Sequence, residues 1–392
     1  MKINLKYLCF IILILSTSNL YGQVDYQLYN KGLSLKNQGE HIQAISLFGE
    51  FVQQYPSEHP DAYFQRGYSF FYLKKYKNAI VDFKKSMDLD GNNFEVAYAL
   101  GRTYVQLKNN KAAHTSFTKA LQLNPNHAPS CNDRGMVACH MRDFEGALED
   151  FYRATTLDTS FAMAYNNAGA ARYYNQDIAK PTTKDLRIAK EWFTKAIEKD
   201  PTLALAYRNR ATMNILMKAY EAAMFDLNKA MRYDPDDAMT FFFQGVVYAD
   251  QSDQELAINS FQKALTLNPN ISFAYEEMGN LFKAIRQFDN AIKNYKLAKR
   301  GMSKLYKGLI DHRIALVYAE TNNKIKMYDY LKNARQENAY HDRQVYNDFI
   351  KAKEFQPYRL DKSFRRFTKS LLKIKKDNKF LNPELGWFRM RK

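Results

Sequence analysis

The chain is short of the residues that most chemistry requires. It has 392 residues and three cysteines, and Cys9 lies in an N-terminal apolar segment, which leaves Cys131 and Cys139. These two fall on one expected helix, eight residues apart. That spacing is about 12 Å along a helix, too far for a disulfide. With Asp133 and His140 nearby they still match no zinc-ligand spacing, so no metal or cofactor is implied, and Cys131 reads as a small core residue. Seven of the fifteen glycines belong to a regular grid, so no glycine-rich phosphate loop remains. There is no G-x-x-x-x-G-K-[ST], G-x-S-x-G, H-E-x-x-H or C-x-x-C motif. The histidines are scattered, and acid pairs such as Asp236-Asp237 and Glu276-Glu277 read as repeat boundaries or charged helix faces. The expectation is a protein that is not an enzyme. Long hydrophobic runs are missing too: Leu8 to Leu15 is far below the roughly 20 residues of a spanning helix. Acidic residues are in deficit, 41 against 58 Lys plus Arg, for a net charge of +17.

What the chain does have is a period. Gly32, Gly67, Gly101, Gly135, Gly169, Ala211, Gly245 and Gly279 follow one another at 34 or 35 residues, with a single step of 42 before Ala211. Twelve residues after each, with one exception, stands an alanine: Ala44, Ala79, Ala113, Ala147, Ala189, Ala223, Ala257 and Ala291. Four further on comes Phe48, Phe83, Phe117, Phe151, Phe193, Leu227, Phe261 or Tyr295, and proline recurs at Pro56, Pro125, Pro201, Pro235 and Pro269. A period of this length with small residues at two fixed offsets predicts stacked helix pairs. The small residues allow close helix approach. The large residue is expected to fill the gap between stacked pairs, and proline marks the junction into the next unit.

The grid resembles the tetratricopeptide repeat. Eight units in phase start at Asp25, Pro60, Phe94, Ala128, Ala162, Ala204, Ala238 and Ser272, with an aromatic residue at Tyr63, Tyr165, Tyr207, Phe241 and Tyr275. The resemblance implies an all-α fold, a right-handed α-solenoid (superhelix) of about eight helix pairs with a C-terminal helical cap. The chain as a whole divides into a signal peptide (1–22), the array (23–305), a degenerate ninth pair and cap (306–360) and a basic amphipathic tail (361–392), of which the resemblance itself covers the array. The fifth unit is eight residues longer than the rest between Tyr174 and Asp185, which reads either as a tolerated surface loop or as part of a binding face.

The ends carry further signals. Lys2, Lys6, the apolar run and the polar stretch ending at Gly22 form the three-part pattern of an export signal, with cleavage expected near Gln23. The expected location is therefore the periplasm or cell envelope. Residues 362–392 hold eleven Lys or Arg against Asp377 and Glu384, about half of the chain's excess charge. Arg365, Arg366, Lys373, Lys375, Lys376, Arg389 and Arg391 are its candidate contacts for an anionic membrane surface or cell-wall polymer. The stripe Phe364, Phe367, Leu371 and Ile374 is amphipathic and serves either as the cap's packing face or as a lipid-facing one.

In the family the resemblance points to, the first helix of each pair lines a concave wall that binds protein or an extended peptide. Nucleic acid is not the partner it implies. Read onto this chain, that wall has an aromatic zone of Tyr29, Phe64, Tyr68, Phe71, Tyr98 and Arg102. A polar zone follows, formed by Asn132, Asn166, Asn167, Tyr173, Arg208 and Asn209. An Asn side chain offers a donor and an acceptor, as a peptide backbone requires. The function expected is a non-catalytic scaffold; the alternative is a peripheral envelope factor held by its basic tail.

Overall fold

The computed structural model describes residues 27–175, 182–337 and 352–371, and it divides into two compact units, Met1–Asn175 and Gln176–Lys392. Among the described residues there are helices, turns and no strand. The first unit pairs α1 (27–37) with α2 (His41–Gln54), α3 (Pro60–Tyr72) with α4 (Tyr76–Leu89), α5 (Phe94–Gln106) with α6 (Asn110–Leu123), and α7 (Ala128–His140) with α8 (Phe144–Leu157). It ends on α9 (Ala162–Tyr174). The second unit opens on α10 (Thr183–Lys199). It continues with α11 (Ala204–Leu216) and α12 (Tyr220–Tyr233), α13 (Ala238–Asp250) and α14 (Gln254–Leu267), and α15 (Ser272–Ala284) and α16 (Phe288–Ala298). Next come α17 (Lys304–Glu320) and α18 (Lys324–Gln336), a 3₁₀ turn at Lys353–Tyr358 and α19 (Lys362–Leu371). Seven first helices begin on the residues that the period marks, from Pro60 to Ser272.

The reason for the grid is steric. All eight periodic alanines are fully buried, as are Phe48, Phe83, Phe117, Leu227 and Phe261. The large residue packs against the next pair, as the sequence suggests, with Phe83 beside Val96 and Ala99 and Phe117 beside Val137, and it also lies against the grid glycine of its own pair. A Cβ on Gly101 would stand 2.5 Å from the Phe117 ring, one on Gly67 2.7 Å from Phe83, and one on Gly245 2.6 Å from Phe261. Where the grid residue is Ala211, the residue sixteen further on is the smaller Leu227. The ninth pair repeats that solution with Ala315 and Leu331, both fully buried.

The turn inside each pair also recurs. Seven residues past the grid position the backbone enters the left-handed region, at Gly39 (φ 84°), Lys74 (58°), Lys108 (56°), Arg142 (64°), Lys218 (59°), Ser252 (67°), Arg286 (61°) and Asn322 (54°). Each of these eight first helices thereby closes with paired carbonyls, as where Asn109 N–H reaches Tyr104 O at 2.9 Å and Lys108 N–H reaches Val105 O at 2.9 Å; the corresponding turn after α9 lies outside the described residues.

The fifth unit's extra residues are partly helical. α10 has 17 residues where α8 and α12 have 14, and Thr182 with Asp185 forms a capping box at its start. Residues 176–181, including Pro181, lie outside the described residues. At the C-terminal end, Phe355 and Phe364 are buried with ring centroids 5.5 Å apart. The Tyr358 hydroxyl donates to Ala319 O at 3.1 Å. These residues join the core of α17 and α18, so Phe364 and Phe367 pack as the cap of the second unit. A stacked array needs such a closure because its last apolar face would otherwise meet water.

Candidate partner-binding surface

In the first unit the aromatic residues of the first helices line an open groove of about 640 Å³. Its lining includes Phe64, Tyr68, Tyr72, Phe94 and Tyr98. Phe64 and Tyr68 meet edge to face at 4.9 Å. Tyr72 is 62% exposed yet held flat against His41, centroids 4.8 Å apart, which gives the groove a preset aromatic platform. The Arg102 guanidinium stands 5.4 Å over Phe71 and 5.8 Å over Tyr98, so the ring faces hold the cation in place. Tyr29 donates to the Asp61 carboxylate, and Lys36 Nζ donates to Gln65 Oε1 at 2.6 Å. Burial lowers the Lys36 ammonium's pKa against the pull of Asp61. Burial likewise lowers the pKa of His127, whose Nδ1 lies 2.7 Å from Ser130 Oγ. The aromatic zone expected from the sequence is therefore one surface: Phe64, Tyr68 and Tyr98 line the groove, Phe71 and Arg102 adjoin it, and Tyr29 borders Asp61.

The polar zone is differently disposed. Asn166 Nδ2 donates to Asn167 Oδ1 at 3.2 Å, Asn167 Nδ2 to Asn132 Oδ1 at 2.9 Å, and Asn132 Nδ2 to Asp133 Oδ1 at 3.1 Å. Tyr98 Oη donates to Asp133 Oδ2 at 2.9 Å. This chain links α5, α7 and α9, and Asn132 and Asn166 are buried within it. Burial raises the Asp133 pKa, opposed by the hydrogen bonds from Tyr98 and Asn132. Side chains that read as peptide-facing thus already tie neighbouring helices together. Tyr173 is buried beneath the exposed Tyr174. In the second unit Arg208 is paired with Asp237 at 2.5 Å, and Asn209 is partly exposed on the same helix. Of the tail residues, Arg365 and Arg366 are exposed on α19, and Lys373, Lys375, Lys376, Arg389 and Arg391 lie outside the described residues.

Three features escaped sequence reading. Arg66, Arg134 and Arg210, each one residue before the grid position, form bidentate pairs with Asp82, Asp150 and Asp226 sixteen residues later. Arg134 and Arg210 also reach Thr118 and Thr194 of the preceding helix, each at 3.3 Å, so one side chain pins three helices. Burial pushes the Asp82 carboxyl's pKa up, and its Arg66 partner opposes the shift. Arg at i with Asp at i+16, present in alternate units, was the available signal. Second, Glu276 is not on a solvated helix face. It is buried and pairs with Arg313 at 2.9 Å, and Lys283 bridges Glu354 at 2.6 Å and Glu320 at 3.0 Å. Third, burial pushes the Cys139 thiol up to about 11; Cys131, by contrast, is the buried core residue that the sequence suggests, and neither cysteine is in a disulfide.

Comparison with known proteins agrees with this geometry. Family models described as tetratricopeptide repeat match residues 28–57, 60–93, 94–127 and 240–271. Tetratricopeptide repeat protein 6 of Homo sapiens is 37% identical over 107 residues, 27% of this chain and 20% of that protein. DnaJ homolog subfamily C member 7 of Mus musculus is 26% identical over 136 residues, 35% of this chain and 27% of that protein. The chain thus spans about a quarter or less of these curated relatives. Among solved structures, a tetratricopeptide repeat protein from Parabacteroides merdae has a TM-score of 0.53 at 17% identity, over 67% of this chain and 98% of that one. This last likeness is one of fold.

Proposed function

We propose, from the premise that this chain is a tetratricopeptide repeat protein, that it is a non-catalytic scaffold holding a segment of a partner protein. The observation that carries the proposal is the open aromatic groove of the first unit. Large aromatic side chains that stay part-exposed, in fixed orientations, give contact area at small entropic cost on binding. Contact through Tyr72 separates this reading from docking on the outer helices. A photo-crosslinking amino acid placed at Tyr72 should trap a partner protein. The same group placed at Val81, which is 67% exposed on α4, should not; equal trapping at both sites counts against the groove. Lys2, Lys6 and the apolar run Leu8 to Leu15 support a place in the cell envelope. The mature protein should then begin near Gln23 by N-terminal sequencing, and a full-length cytosolic chain would defeat that location.

A further inference from the structure

The groove of the first unit is not electrically uniform. Its lining crosses the first helices obliquely. At one end stand Lys36, Asn37, Gly39 and His41, from the end of α1 and the turn into α2. At the other stand Phe94 and Glu95 in the first turn of α5, and His127 just before α7. First helices of successive pairs run the same way, so the backbone at the two ends is about one helix length apart. That is about 20 Å for 13 residues, or roughly six residues of extended chain. The Lys36 ammonium reaches back along the groove to Gln65 Oε1 and feels the Asp61 carboxylate.

The charges around each end have one dominant sign. The turns at 36–41, 73–77 and 107–111 contain Lys36, Lys74, Lys75, Lys77, Lys108 and Lys111 against Glu40 alone. The junctions at 54–61, 88–95 and 122–129 contain Glu58, Asp61, Asp88, Asp90 and Glu95 with no lysine or arginine. Helix dipoles, which favour acids in first turns and bases in last turns, account for Lys36 at the end of α1 and for Asp61 and Glu95 at the starts of α3 and α5, but not for the rest. Lys77 and Lys111 lie in the first turns of α4 and α6, and Asp88 in the last turn of α4.

We infer that this groove reads charge order. The segment it takes carries an aromatic side chain between an acidic residue, which meets Lys36 and the turn lysines, and a basic residue, which meets Glu95. Phe64, Tyr68 and Tyr98 receive the aromatic side chain between the two charges. The inference rests on the groove reading above and deepens it to a class of partner.

The test uses fluorescein-labelled heptapeptides with a central Phe and the full chain, titrated by fluorescence anisotropy at about 0.05 M and about 0.15 M salt. One peptide has two Asp at one end and two Lys at the other; a second has Asp at both ends, a third has Lys at both, and a fourth is the mixed peptide with Ser in place of Phe. The mixed-charge Phe peptide should bind about five-fold or more tightly than either uniform one at low salt, with the gap narrowing as salt rises. Glu95→Lys should transfer the preference to the doubly acidic peptide, and Lys36→Glu to the doubly basic one, with melting temperatures reporting that each variant is folded. If the ranking is the same in the parent and both variants, charge order is not read, and the groove reading stands without it. If no Phe peptide binds better than the Ser control, both readings fall.

Discussion

In the helix pairs that carry a grid glycine, a single missing Cβ decides how closely the two helices can pack. At Gly101 a methyl group would sit 2.5 Å from the Phe117 ring, a fully buried side chain with no room to retreat. Overpacking of this kind costs about 1–3 kcal/mol, partly offset by about 1 kcal/mol of better helix propensity. Gly101→Ala should therefore lower the apparent melting temperature. The chain itself shows the compensation, since Ala211 and Ala315 have Leu227 and Leu331 sixteen residues on, not an aromatic ring. Gly101→Ala combined with Phe117→Leu should lose less stability than the two single changes added together, as expected of residues in direct contact. Additive losses in thermal or urea unfolding would show that the ring is not what excludes the methyl group.

Within each helix pair the inner turn has a cost that the sequence does not advertise. Of the eight left-handed turn residues only Gly39 is a glycine, and five of the others are Lys or Arg. A side chain there carries about 1–2 kcal/mol of strain, against a smaller entropic penalty for glycine in the unfolded chain. Lys108→Gly should raise stability by up to about 1 kcal/mol in urea unfolding; a loss would mean that the Lys108 side chain makes a contact worth more than the strain. The same turn shows what could be read in advance. Helix starts at Pro60, Phe94, Ala128 and Ser272 were legible because close packing imposes the same small residue every 34 positions. The turn conformation was not, because no residue type marks it. The ninth pair keeps the offsets of twelve and sixteen at Met327 and Leu331, but Ala315 stands 36 residues after Gly279, so a strict grid passes over it. That shift also concealed Arg313 as the partner of Glu276. The aromatic groove was legible from composition at the wall positions. The bonding of Asn167 to Asn132 was not, because it depends on which amide of one repeat faces which of the next.

For the whole molecule, the open question is whether the basic end holds the protein to a surface or only closes its array. The cap already engages Phe355, Tyr358 and Phe364 in the core of α17 and α18, while Arg365 and Arg366 remain exposed. The apolar stripe is thus committed, at least at its start, to protein and not to lipid. The remaining charge stands further along: Lys375, Lys376, Lys379, Arg389, Arg391 and Lys392. Each basic residue beside an anionic bilayer contributes about 1 kcal/mol, an attraction that fades beyond a Debye length of about 8 Å at physiological salt. Deleting 375–392 removes those charges and leaves in place the buried cap residues among the described ones, Phe355, Tyr358 and Phe364. The truncated chain should keep its melting temperature and its crosslinking through Tyr72, because neither depends on the deleted residues. Sedimentation with phosphatidylserine vesicles then separates the two roles. If the parent binds vesicles in low salt, releases them as salt rises, and the truncated chain does not bind, the tail is a surface anchor added to the scaffold. If neither chain binds the vesicles, surface attachment fails and the groove carries the function; if both bind alike, 375–392 is not the anchor and the contact lies with residues such as Arg365, Arg366 and Lys373. A truncated chain that unfolds would instead make 375–392 part of the cap and defeat both charge-based roles. Since the described cap is complete without those residues, the expected outcome is a folded, partner-competent chain.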